Sequence, residues 1–149
     1  MLKRLEKRLR RILPAEFRRM EQEAATVTSA LQVGFRETFG RALISMDGLM
    51  AHPDHWNPAW RRQLYRMSHD LRGLGGTFGY GLVTTIGEAL CSLINNTDLP
   101  DDRFLQRRVL AHVAALKAVH QFDLTGDGGN EGERLVATLE PVTAKHPPE

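Results

Sequence analysis

One cysteine, Cys91, in a chain of 149 residues excludes an internal disulfide framework and any CxxC metal or redox motif. Long apolar runs are missing too, and none approaches the roughly 20 residues that a membrane-spanning helix needs. The N-terminus is basic but has no apolar core of the kind a secretory signal requires, so a cytoplasmic, reducing location is the expectation. Alternating strand patterns are absent, and no internal repeat is evident. Metal-ligating residues cluster only at His52, Asp54 and His55. Two prolines nearby mark that stretch as a surface loop, and no metal or cofactor is expected.

What the chain does have is an uneven charge distribution. Lys3, Arg4, Lys7, Arg8, Arg10, Arg11, Arg18 and Arg19 face only Glu6 and Glu16 in the first 19 residues, although the whole chain has a formal net charge of +2. Such asymmetry can mark a nucleic-acid or membrane contact, or simply a solvated helix face. Contact with nucleic acid is not expected.

Helical periodicity dominates. Leu2, Leu5, Leu9 and Ile12 recur at three- and four-residue spacing until Pro14 interrupts, and Phe17, Met20, Ala24, Val27 and Leu31 continue the pattern. After Gly34 it resumes with Phe35, Phe39, Leu43 and Met46. The spacing leaves open whether residues 15–50 make one helix or two. Residues 52–58 read as a loop ending in Asn57 as N-cap and Pro58 at the first helical position. The next helix carries Trp60, Leu64, Met67, Leu71 and Leu74 as its core stripe, and a Gly79-Tyr80-Gly81 turn follows. Leu82, Ile86, Leu90, Leu93 and Ile94 mark a further helix, with Cys91 as a small core residue. Phe104, Leu105, Val109, Val113, Leu116, Val119 and Phe122 mark another, with His112 and His120 at its polar border. Residues 124–132 read as a mobile Gly-rich loop, followed by a short helix around 131–140 and a Pro-rich tail. The expected architecture is all-α, an antiparallel four-helix bundle with an additional N-terminal basic helix. Residues 1–34 form the basic extension, 35–123 the bundle, and 124–149 a flexible loop and tail.

The most informative stretch is Ser68-His69-Asp70-Leu71-Arg72-Gly73-Leu74-Gly75-Gly76-Thr77-Phe78-Gly79. Glycine costs roughly 1 kcal/mol per helix position relative to alanine, so several of them around one imidazole need a cause. On a helix, Arg62, Tyr65, Arg66, Arg72, Gly73 and Gly76 share the face of His69, away from the core stripe. His69 therefore points outward, among cations that suit an anionic group and glycines that leave access for a partner. Ser68, its neighbour, does not make a hydrolase site, because adjacent helical residues point different ways and no strained elbow is present.

The pattern resembles the signature of histidine phosphotransfer (HPt) domains, His-x-hydrophobic-Lys/Arg-Gly-(x)5-Gly. His69, Leu71, Arg72, Gly73 and Gly79 match it, Gly76 and Thr77 fall where that family often has small residues, and the likeness covers about residues 36–122. The stretch Ser68-His69-Asp70-Leu71-Arg72 also fits the dimerisation helix of histidine kinases. That fit ends at Gly73 and Leu74, where the kinase motif has Thr and Pro, and the remaining chain is expected to be too short for an ATP-binding domain.

The resemblance implies a phosphocarrier, not an enzyme with an ATP site. His69 would accept a phosphoryl group, in the family usually on Nε2. Arg72 would offset phosphoryl charge, and Gly73 and Gly76 would give partners access. The implied partners are receiver domains of response regulators and a sensor histidine kinase, with Mg²⁺ on the receiver. Exposed apolar residues beside His69, on its own helix and on the helix from Phe35 to Met46, would receive them. The competing expectation is a helical adaptor that binds a partner or an anionic membrane through residues 1–13, without phosphotransfer.

Overall fold

The computed structural model describes residues 1–51, 57–96 and 103–143. Among them every element is an α-helix: α1 (Leu2–Ile12), α2 (Pro14–Met50), α3 (Pro58–Thr77), α4 (Gly81–Ile94), α5 (Arg103–Gln121) and α6 (Gly129–Thr143). None is long and apolar enough to cross a membrane. The chain divides into two compact units, Met1–Gly34 and Phe35–Glu149, and the division falls within α2. His52, Asp54 and His55 lie outside the described residues. Elsewhere among the described residues no group of three or more His, Cys, Asp or Glu side chains could hold a metal.

In the first unit no described residue is buried. Arg10 donates to Glu21 Oε1 at 2.7 Å and lies 5.1 Å above the Phe17 ring. The predicted stripe of Met20, Val27 and Leu31 stays in solvent.

The second unit holds the core. Phe35, Phe39, Leu43 and Met46 of α2 join Trp60, Leu64 and Leu71 of α3, the apolar face of α4, and Leu105, Val109, Val113, Leu116 and Val119 of α5. On α2 and α5 the link is also polar: His120 Nε2–H donates to Arg36 O at 3.1 Å, its ring meets Phe39 edge-on at 5.2 Å, and Lys117 pairs with Asp47 at 2.6 Å. α3 starts as its sequence predicts, with Asn57 Oδ1 accepting from Trp60 N–H at 3.0 Å and Pro58 in the first turn.

Several expectations fail, each for an identifiable reason. Leu74 is 39% exposed. The buried line of α3 is Trp60, Leu64, Ser68, Leu71 and Gly75, and two of those are small because α4 lies close there. Phe104 and Phe122, at the two ends of α5, are exposed. His112 is not at a polar border but fully buried, and its Nδ1–H donates to Arg108 O at 2.6 Å. Burial lowers its pKa from the ordinary histidine value by disfavouring the charged ring.

The Gly-rich segment after α5 has defined partners. Gly126 N–H donates to Gly79 O at 2.7 Å, and Leu82 N–H donates to Gly126 O at 2.9 Å. The second bond answers one of the orphan donors at the start of α4. Gly126, Gly128 and Gly129 have positive φ, so their identity follows from the path of this loop. α6 then packs on α4 and α5, burying Leu139.

Candidate functional site

α3 and α4 approach closely because α3 lacks side chains where they meet. A Cβ on Gly75 would lie 2.7 Å from Val83 Cβ and 3.1 Å from Tyr80 O. One on Gly76 would lie 2.9 Å from Thr84 Oγ1, which donates to Arg72 O at 2.8 Å. From the other side, a Cβ on Gly87 would meet Arg72 Cβ at 3.1 Å. Gly79, at φ 86°, ends α3, and Tyr80 N–H reaches back to Gly75 O at 2.8 Å as in a Schellman cap. The turn is then tied down. Tyr80 Oη donates to Asp123 Oδ1 at 2.7 Å, and the Tyr80 ring lies 5.3 Å from that of Phe35. Burial and the Asp123 carboxylate push the phenol up to about 12.

The opposite face of α3 carries His69. Its side chain is 52% exposed, its ring is tilted against Tyr65 at 6.1 Å, and its Nδ1 lies 3.8 Å from Asp70 Oδ1. That separation is too long for a hydrogen bond. Next along the face is Gly73, where an added Cβ would have nothing within 4 Å. Ser68, one residue before, is fully buried, with Oγ donating to Leu64 O at 2.8 Å. Its hydroxyl is therefore not part of the exposed face.

His69 borders a groove of about 560 Å³ lined by Pro58, Arg61, Arg62, Tyr65 and Arg66 of α3 together with Ile94 and Asn95 at the end of α4. Arg61 closes one wall. Its Nε donates to Ile94 O and its Nη2 to Asn96 O, both at 3.0 Å, satisfying carbonyls left open at the C-terminus of α4. Arg62 and Arg66 are exposed. The groove thus gathers three guanidinium groups and one imidazole, and no carboxylate is among its lining residues.

Of the residues expected at the site, His69 and Gly73 lie on the open face. Gly76 is exposed as well, but a side chain there would crowd Thr84, whose Oγ1 lies 2.9 Å from where its Cβ would be. Arg72 is half-buried, not in solvent, and does not line the groove. Its stem packs beside Gly87, and its charge opposes the burial that pushes the Cys91 thiol up. The cations that share the groove with His69 are Arg61, Arg62 and Arg66. Helical phase already placed Arg62, Tyr65 and Arg66 on the His69 face. Arg61 and the end of α4 could not be found that way, because their contribution is tertiary. Between Phe35 and Met46 of α2 the exposed large apolar residue is Ile44, and it lines a different groove with Arg36, Arg41 and His120. No family model matches the chain, and no curated protein or solved structure is significantly similar to it.

Proposed function

We propose that the protein is a phosphorelay intermediate. His69 accepts a phosphoryl group from a receiver-domain aspartate, or from a hybrid kinase, and passes it to another response regulator. In this reading residues 35–50 of α2 with α3, α4 and α5 form an antiparallel four-helix bundle in the cytoplasm. α3 is the strut that presents the histidine. The protein carries phosphate without ATP chemistry of its own.

The observation that carries this reading is an exposed imidazole at the edge of an arginine-lined groove, with open space over Gly73. A neutral imidazole with its proton on Nδ1, facing the Asp70 carboxylate, keeps a lone pair on Nε2. That lone pair attacks the phosphorus of the aspartyl phosphate. The P–N bond forms as the P–O bond to the carboxylate breaks, and the carboxylate leaves. The reverse step, onto a second aspartate, regenerates the neutral ring. Such transfer depends on positioning and on neutralising charge at the phosphoryl oxygens. Mg²⁺ on the receiver supplies part of that charge. Arg62 and Arg66 supply the rest more directly than Arg72, whose stem lies against α4.

The test is transfer from a panel of phosphorylated receiver domains to the full chain. The expected product is acid-labile and base-stable, as a P–N bond should be. His69→Gln abolishes labelling with unchanged far-UV circular dichroism, since the ring is on the surface. Labelling that persists in H69Q would overturn the proposal.

A further inference from the structure

Phosphotransfer at His69 makes no use of residues 1–34, and the structure there has a distinct chemistry. In α1, Leu2, Leu5, Leu9 and Ile12 fall on one arc of the helix, while Lys3, Arg4, Lys7, Arg8, Arg10 and Arg11 fill the rest with Glu6 as the single acid. Leu2 and Leu5 are 78% and 55% exposed, and with Met1, Arg4 and Arg8 they line a shallow groove. No described residue of the unit is buried.

Charge selects among possible occupants. A second copy of α1 would set like charges against each other on both flanks of the stripe. Nucleic acid would take the cations and leave the leucines in water. An anionic lipid surface answers both, with leucines entering the acyl boundary and cations meeting headgroup phosphates. Arg10 is engaged with Glu21 and Phe17. That leaves Lys3, Arg4, Lys7, Arg8 and Arg11 for the lipid, each multiplying partitioning by roughly fivefold near the surface.

We propose that α1 is an interfacial helix that lies in the plane of an anionic membrane surface through Leu2 and Leu5. The inference is independent of the phosphotransfer reading. The test is flotation of the full chain with vesicles of phosphatidylcholine alone or containing phosphatidylglycerol. The chain floats with the anionic vesicles only, and added salt weakens the binding. Leu2→Gln with Leu5→Gln keeps every charge and favours helix, and it reduces binding by at least roughly tenfold. Equal flotation with both vesicles, or unchanged binding of the glutamine pair, would overturn the proposal. So would a dimer in sedimentation that the glutamine pair dissolves, because a second copy would then cover the stripe.

Discussion

α3 meets α4 along one face and solvent along the other, and glycine does opposite things on the two. At Gly75 and Gly76 the absent side chain lets a neighbouring helix in, with Val83 Cβ 2.7 Å and Thr84 Oγ1 2.9 Å from where a Cβ would be. At Gly73 nothing lies within 4 Å, so no intramolecular contact accounts for the choice. A run of glycines around one histidine therefore does not have one cause. Gly75 and Gly76 let α3 and α4 pack closely, whereas Gly73 faces open space.

Substitutions can break that contrast. The largest effect is expected at Gly75→Ala. Crowding Val83 and the Tyr80 carbonyl costs up to about 3 kcal/mol, offset by about 1 kcal/mol of helix propensity. The net loss of roughly 2 kcal/mol should appear as a lower urea midpoint with unchanged slope. A stability equal to the parent's would show that α4 can yield, and the closed face would lose its explanation.

The same opposition separates two histidines, His69 in solvent and His112 in the core. The lowered pKa of buried His112 means that the unfolded chain binds its proton at a higher pH than the folded one does. Its contribution is fully present above the unfolded value of about 6.5. It is lost as pH falls from there towards the folded pKa, with a slope of up to about 1.4 kcal/mol per pH unit. His112→Asn, whose amide can donate to Arg108 O as the ring does, should flatten that slope in urea denaturation between pH 7.5 and 5. A slope as steep as before would place the acid sensitivity elsewhere.

The smallest effect on stability, and the most telling, is expected at Gly73→Ala. Added helix propensity should stabilise by up to about 1 kcal/mol, while a methyl beside His69 should slow the proposed phosphotransfer roughly tenfold. Stability and transfer would then move in opposite directions, as a packing glycine would not allow. Transfer at the parental rate would remove Gly73 from the site.

Much of this was legible in the sequence, and what was missed has a common cause. The Asn57-Pro58 start of α3 and the outward direction of His69 follow from local rules, capping and helical phase, and both hold in the structure. Leu74 departs from the expected core stripe of α3 because apolar periodicity counts large residues, whereas the buried line passes through Ser68 and Gly75. His112 lies in the core, not at a polar border, because a polar ring can satisfy itself on the carbonyl one turn back, which no pattern of apolar residues reveals. Arg61 and the groove it closes depend on where α4 ends, and the partners of residues 124–132 depend on where α3 turns. Those are tertiary facts. The side of α4 on which Arg72 packs belongs with them.

The bond from Leu82 N–H to Gly126 O joins two segments that are far apart in the chain. When the chain is made from its N-terminus, α3 and α4 can pair as soon as both have emerged, yet Leu82 N–H lacks its partner carbonyl until the loop beyond α5 arrives. The hairpin beneath the histidine is therefore completed from the far end of the unit. A nascent or truncated chain that stops at Gln121 would have all of α3, with its histidine in place, on a turn that is not yet locked.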